Sequence, residues 1–114
     1  VKGRINRGGE NISSLEVENI LRRQPDFREV AVVGMPDPRL TERACAYVVL
    51  EDGAKKMALA DMVEFLNGQD ISRFKFPERL ELLKEFPRTA SGKIRKGILR
   101  KEIALKIEAE AGQG

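Results

Sequence analysis

The chain has 114 residues, of which 34% are charged and 5% aromatic, and its formal net charge is +3. This length fits one domain with a modest core, and a charge of this size suits an anionic ligand or partner without indicating nucleic acid. With one cysteine and no histidine, the sequence excludes an internal disulfide and leaves no zinc or Cys-His catalytic cluster. A reducing, cytoplasmic setting is expected, and no apolar run is long enough to span a membrane.

The N-terminal part predicts a short hairpin followed by a helix. Apolar residues flank the pair Gly8-Gly9, which is typical of a tight turn. Such a pair serves equally well as a simple turn or as a place where a ligand approaches the backbone closely. Ser13 and Glu16 have the spacing of a capping box, and Pro25 ends the helix that follows.

The middle of the chain predicts two strands and a second helix. Residues 30–33 and 44–50 are continuous apolar runs bounded by turn residues, as in buried strands. The connection between them is too short for a crossover helix, so antiparallel pairing is favoured. Cys45 lies in the second run and is expected to be a core residue. A helical stripe that Gly68 ends consists of Leu59, Met62, Val63 and Leu66.

The C-terminal part predicts a third strand, a polar loop and a last helix with a basic face. The sequence therefore predicts an α+β domain, in which a central three-stranded, mainly antiparallel sheet is flanked by about three helices, with the N-terminal hairpin added. Residues 109–114 are expected to form a disordered tail. The strand is marked by Leu80, Leu82 and Leu83, and the helix by Ile94, Ile98, Leu99 and Ile103.

The loop at residues 87–93 is the strongest candidate for a functional site. A lysine directly after a glycine, at the tip of a polar loop, is a mobile cation suited to a phosphate or carboxylate oxygen. The phosphate-binding P-loop pattern does not match, because Pro87 and Ile94 stand where it needs Gly and Ser or Thr. Lys93 would therefore act on a phosphate that another part of the protein holds.

Two motifs together resemble the C-terminal domain of the adenylate-forming synthetases, and the resemblance covers nearly the whole chain. This superfamily includes acyl-CoA synthetases, aryl-acid AMP ligases, peptide-synthetase adenylation domains and luciferases. The first motif is Asn6-Arg7-Gly8-Gly9-Glu10-Asn11-Ile12 with Glu16-Val17-Glu18, and the second is Pro87-Arg88-Thr89-Ala90-Ser91-Gly92-Lys93.

The resemblance implies a reaction in two halves. A carboxylic acid first attacks the α-phosphate of ATP to give an acyl-adenylate, and a thiol such as coenzyme A then displaces AMP. A large N-terminal domain, preceding this chain in a longer protein, would hold ATP, Mg²⁺ and the acid. Residues 1–114 would be the mobile C-terminal lid, which closes over that site in two orientations.

The resemblance also implies a role for each part of the two motifs. Lys93 would be the catalytic lysine of adenylation, and Gly8, Gly9 and Glu10 would line the channel for the pantetheine thiol. Residues 1–4 would be a remnant of the hinge, with Lys2 and Gly3 at the pivot, although the family usually has Asp or Lys at the position of Gly3. The lysine loop would be supported by Pro87, Arg88, Thr89, Ser91 and Gly92.

The sequence leaves the acid open, because the acid pocket belongs to the N-terminal domain of this family. We favour an acid–CoA ligase over an aryl-acid AMP ligase of the 2,3-dihydroxybenzoate type that loads a carrier protein. A non-enzymatic basic module is the alternative of another class. The few aromatic residues count against nucleic acid as a partner of such a module.

Overall fold

The structure is a computed structural model that describes residues 3–113. Within these residues, five strands, three α-helices and one 3₁₀ turn follow one another. In order they are β1 (Arg4–Arg7), β2 (Glu10–Ser13), α1 (Ser14–Leu21), β3 (Phe27–Asp37), β4 (Thr41–Leu50), α2 (Leu59–Asn67), the 3₁₀ turn Arg73–Lys75, β5 (Arg79–Leu82) and α3 (Lys96–Gln113).

The strands form one sheet in the order β2-β1-β4-β3, and β5 pairs with β4 as well. The β3–β4 hairpin is antiparallel over nearly its whole length, as the short connection requires. Since α2 intervenes between β4 and β5, the chain can cross back, and β5 runs parallel to β4. The predicted α+β class and mainly antiparallel sheet are confirmed. The N-terminal hairpin joins the same sheet through the pair Arg7–Thr41.

The core has two layers because β3 and β4 are buried on both faces. Alternate side chains such as Val30 and Val32 pack toward α1 and α2, whereas Ala31 and Val33 pack toward α3. Burial on both sides explains why these strands are continuous apolar runs without polar alternation. Cys45 lies in the second layer, fully buried, and burial raises the pKa of its thiol to about 12.

Helix α3 differs from the prediction at its C-terminal end. Residues 109–113 continue the helix, whereas the sequence predicted a disordered tail over residues 109–114. The reason is an interaction between distant residues: the guanidinium of Arg79 on β5 donates hydrogen bonds of 2.8 and 2.6 Å to the two carboxylate oxygens of Glu110. One turn earlier, the Lys106 ammonium donates to Glu81 at 2.5 Å.

Only one of the two hydrogen bonds of the predicted capping box of α1 is present. Ser13 Oγ accepts the backbone N–H of Glu16 at 3.3 Å. The Glu16 carboxylate does not return to the cap, because it binds the ammonium of Lys75 at 2.9 Å. The N-terminus of α1 is thus tied to the 3₁₀ turn that precedes β5.

Candidate functional site

The lysine loop, residues 87–93, is a compact hairpin closed by its own hydrogen bonds. Thr89 donates its backbone N–H to Lys93 O at 2.8 Å, and Gly92 donates to Thr89 O at 2.9 Å. Thr89 Oγ1 accepts the backbone N–H of Lys93 at 3.1 Å and lies 3.0 Å from Ser91 Oγ. The hydroxyls of the predicted motif therefore fix the backbone that carries Lys93.

The side chain of Lys93 is exposed at this hairpin. Within residues 3–113 its ammonium makes no hydrogen bond or ion pair. The loop backbone is thus ordered while the cation stays free to meet an external anion. An apolar residue anchors each end of the loop, since Phe86 is 4% exposed and Ile94 packs against the second core layer.

Arg88 ties the lysine loop to the sheet. Its guanidinium donates to Gly92 O at 2.7 Å and forms an ion pair with Glu29 on β3. Pro87 contributes a carbonyl that accepts the backbone N–H of Arg95 at 2.8 Å, just before α3 begins. The five loop residues predicted to support Lys93 therefore belong to one hydrogen-bonded unit.

The glycine loop is the two-residue turn Gly8-Gly9 between β1 and β2. Both residues have positive φ, +60° and +95°, as the favoured turns of two-residue hairpins require. Asn6 Oδ1 accepts the backbone N–H of Gly9 at 2.8 Å. An added Cβ on Gly9 would meet nothing within 4 Å, so the outer side of this turn is open. Glu10 is exposed beside it.

The turn between β3 and β4 is hydrogen-bonded to the glycine loop. Leu40 O accepts the backbone N–H of Gly8 at 2.6 Å. Asp37 in turn accepts the backbone N–H groups of Leu40 and Arg39 at 2.8 and 3.0 Å. These bonds, led by the one from Leu40, hold the pKa of the Asp37 carboxyl below its ordinary value, and partial burial opposes them.

Arg7, the residue before the glycines, is fixed by Glu78. Its Nε and Nη2 donate to the two carboxylate oxygens at 3.1 and 3.3 Å. This side-chain hydrogen bonding raises the pKa of the Arg7 guanidinium above its ordinary value, against the effect of burial. Arg7 therefore connects the glycine loop to the segment just before β5 and is not free to bind a ligand.

The two loops are anchored at opposite ends of the β3–β4 hairpin. The lysine loop contacts Glu29, near the open end, and the glycine loop contacts Leu40 at the turn. From Glu29 to Asp37 an extended strand covers roughly 25 Å, at about 3.3 Å per residue. The structure therefore does not bring the two predicted loops into one site.

The predicted hinge is described in part, since Lys2 lies outside the described residues. The carbonyl of Gly3 accepts both the backbone N–H and the hydroxyl of Ser14, at 2.9 and 3.1 Å. A cavity of about 680 Å³ opens next to Gly3 and reaches Ile94 at the end of the lysine loop. The predicted hinge and the first residues of α3 thus border the same cavity.

One buried acidic residue near the lysine loop was not predicted as functional. From the sequence, Glu18 is a member of the first motif and a carboxylate suited to the dipole of α1, yet its side chain is buried and binds Lys96 at the start of α3. Its position gave a usable signal, because Glu18 lies three residues before the buried Leu21 and so on the apolar face of α1. Nothing in the sequence indicates that Lys96 is its partner.

Residues 3–113 contain neither a cluster of metal ligands nor a helix suited to a membrane. No group of three or more acidic, cysteine or histidine side chains there could hold a metal ion. Nor does any of the described helices combine the length and the apolar character needed to cross a membrane.

Comparison with known proteins identifies the family to which the chain is similar. The family model described as the AMP-binding enzyme C-terminal domain matches residues 16–93. The medium-chain fatty-acid–CoA ligase of Escherichia coli (strain K12) is 46% identical over 103 residues, which are 90% of this chain and 18% of the relative. The 2,3-dihydroxybenzoate-AMP ligase of Bacillus subtilis (strain 168) is 40% identical over 108 residues, 95% of this chain and 20% of that protein.

Solved structures give the same result. The crystal structure of Brucella canis acyl-CoA synthetase superposes with a TM-score of 0.84 at 33% identity, over 92% of this chain and 20% of the other. The chain thus spans about a fifth of the length of these relatives. With the family model matching well over half of its residues, the chain belongs to the AMP-binding enzyme C-terminal domain family, which forms part of acyl-CoA and aryl-acid–AMP ligases.

Proposed function

We propose that this chain is the mobile C-terminal domain of an ATP-dependent acid–CoA ligase and supplies the lysine of adenylate formation. The observation that carries the proposal is the exposed, unpaired ammonium of Lys93 on a hairpin whose backbone is fixed. ATP and Mg²⁺ would be held by an N-terminal domain, as the resemblance to the adenylate-forming synthetases implies. The cytoplasm is the expected location, because the single cysteine of the chain is free and disulfides are typical of oxidising compartments.

Adenylation builds negative charge on the α-phosphate oxygens, and a preorganised cation there stabilises the transition state. Lys93 suits this role because the loop hydrogen bonds orient its backbone before any substrate arrives, so that only the side chain must be ordered. Its exposure allows the charge to enter the neighbouring domain on closure and to leave afterwards.

The glycine loop suits the second half-reaction. Gly9 has open space on the side where a Cβ would project, so an extended pantetheine arm could pass close to the backbone. Because the two loops are anchored at opposite ends of one hairpin, a single rigid orientation cannot present both to the same centre. A rotation of the whole domain between the half-reactions accounts for this separation.

The first experiment tests Lys93 in the full-length enzyme. Lys93→Ala is expected to lower adenylate formation, measured by pyrophosphate exchange, by about 10²- to 10³-fold, as for loss of one transition-state donor. Thioester formation from a supplied acyl-adenylate should remain near the wild-type rate. Lys101→Ala is the matched control, since Lys101 is an exposed lysine on α3 for which the described residues provide no ion pair. Equal loss in both half-reactions would contradict the assignment.

The second experiment tests the glycine loop, and the chain offers a close control. Gly53 also has positive φ, +80°, and also has nothing within 4 Å of an added Cβ. Gly9→Leu and Gly53→Leu therefore introduce comparable backbone strain. Only Gly9→Leu should slow thioester formation, and it should slow this step more than pyrophosphate exchange. The reverse ranking, or an equal effect of Gly53→Leu, would refute the channel role.

The acceptor thiol distinguishes two ligase types. Both fatty-acid–CoA and aryl-acid–AMP ligases are among the relatives, so the second candidate is an enzyme that loads an aryl acid onto a carrier protein. Assaying the full-length enzyme with coenzyme A and with a carrier-protein pantetheine separates them. Turnover with coenzyme A supports the acid–CoA ligase, whereas turnover only with the carrier protein supports the alternative.

A further inference from the structure

We propose that Glu18 is a positioning residue for Lys93, an inference that rests on the function proposed above. Glu18 lies on α1 and is 4% exposed. Its Oε2 accepts the backbone N–H of Val32 at 2.8 Å and lies 2.5 Å from the ammonium of Lys96. Oε1 lies 3.9 Å from the guanidinium of Arg22. One buried carboxylate thus joins α1, the edge strand β3 and the start of α3.

Packing alone does not explain a carboxylate at this position. Glu18 shares the buried face of α1 with Val17 and Leu21, where an apolar side chain would satisfy the core. Burying a carboxylate costs free energy unless hydrogen bonds and an opposite charge compensate for it. Compensation here comes from one N–H on an edge strand and from Lys96. The charge is therefore directed at the first residue of α3.

The Glu18–Lys96 contact acts on the lysine loop through the backbone, since only Ile94 and Arg95 separate Lys96 from Lys93. Three residues span at most about 10 Å, so a shift of Lys96 moves the base of the loop directly. The other side of the loop is held by the pair Arg88–Glu29. The Arg88–Glu29 pair thus holds the chain before Lys93 to β3, and the Glu18–Lys96 pair holds the chain after it to α1. The position of the Lys93 backbone relative to the sheet therefore depends on two charge pairs, whereas its ammonium has no partner among residues 3–113.

The alternative is that Glu18 only attaches α1 to the sheet. Such a structural role would change stability and both half-reactions alike. A positioning role would act on adenylation, because that half-reaction alone uses Lys93. The two half-reactions therefore separate the two explanations within one set of variants.

The experiment uses the full-length enzyme with Glu18→Gln and, separately, Lys96→Met. Gln keeps an acceptor for the Val32 N–H but cannot form the ion pair. Each variant should lower kcat for pyrophosphate exchange by about 10- to 100-fold, as expected for a small misplacement of a catalytic group. The KM for ATP and for the acid, and thioester formation from a supplied acyl-adenylate, should stay unchanged. Lys96→Arg, which keeps the charge, should restore adenylation.

Two controls make the result decisive. Arg22→Met removes only the longer, partly exposed contact to Glu18 and should leave both half-reactions intact. The double variant Glu18→Gln/Lys96→Met leaves neither charge unpaired, so it can be tested if a single variant fails to fold. Its adenylation should be slower by about the same 10- to 100-fold as in the single variants, because the two residues act through one contact. Wild-type adenylation in the double variant, or equal loss of both half-reactions, would overturn the proposal. Lys93→Ala tests the proposed function independently, because slow adenylation there with normal adenylation in the Glu18 variants refutes only this inference.

Discussion

Replacing Arg79 with Gln should increase local opening of the last turns of α3 without unfolding the domain. Arg79 on β5 donates to Glu81 at 2.8 Å and, with two hydrogen bonds, to Glu110. Beyond Ile107, every helical residue through 112 is exposed, so apolar packing contributes little there. The pair with Glu110 is thus the main tertiary contact of the final turns.

The expected size of the effect follows from the solvent exposure of the two paired side chains. Arg79 is 24% exposed and Glu110 53%, so their pair is partly screened by water. Partly exposed ion pairs contribute about 0.2–1 kcal/mol, and a two-pronged geometry favours the upper end. Loss of this pair should therefore raise the local opening constant by at most about fivefold. The core turn at Leu99 and Ile103, whose side chains are fully buried, should not respond.

Native-state hydrogen exchange of the chain measures this prediction residue by residue. Amides of residues 109–113 should exchange faster in Arg79→Gln, whereas the amide of Ile103 should keep its protection. Arg73→Gln is the control, because Arg73 is exposed in the 3₁₀ turn and has no ion pair among the described residues. Unchanged exchange at the end of α3, or faster exchange along the whole helix, would refute this account of why the end is helical.

Two further predictions concern the same face of the sheet. Burial raises the pKa of Glu81, but the hydrogen bonds from Lys106 and Arg79 outweigh it and hold the pKa below the ordinary 4.5. The ionised carboxylate therefore stabilises the fold above that pH and loses its effect as the pH falls below it. Glu81→Gln should lower the free energy of unfolding at neutral pH, and its difference from wild type should vanish in acid, as denaturant titrations at several pH values would detect. Tyr47→Phe should cost about 1 kcal/mol by thermal unfolding, because the ring is retained and only the hydrogen bonds of its hydroxyl are lost, at 2.9 Å to Glu102 and 3.3 Å to the carbonyl of Leu99.

Either result can fail in a recognisable way. A gap between Glu81→Gln and wild type that persists unchanged at acid pH would mean that the charge of the carboxylate is not what stabilises the fold. A loss of 3–5 kcal/mol in Tyr47→Phe would be the size of a large core deletion and would contradict retention of the ring packing.

Features encoded by neighbouring residues could be predicted from the sequence. The Gly8-Gly9 turn follows from its own φ requirement, and residues 30–33 and 44–50 are the buried centres of β3 and β4 because both faces of the sheet are covered. The end of α3 could not be predicted, since its stability depends on Arg79, which lies far away in sequence. Local propensity carries no information about such a partner.

The candidate site shows the same contrast between features set by neighbouring residues and features set by distant ones. The hydroxyl and glycine of Thr89 and Gly92 close the lysine loop within itself, so a motif of adjacent residues was sufficient to identify it. Its direction relative to the sheet depends instead on Glu29 and Glu18, which belong to other elements. On the proposals above, the lysine motif supplies the cation, while residues on other elements of the fold set its orientation. That separation makes Lys93→Ala a test of chemistry alone and the Glu18 variants a test of geometry alone.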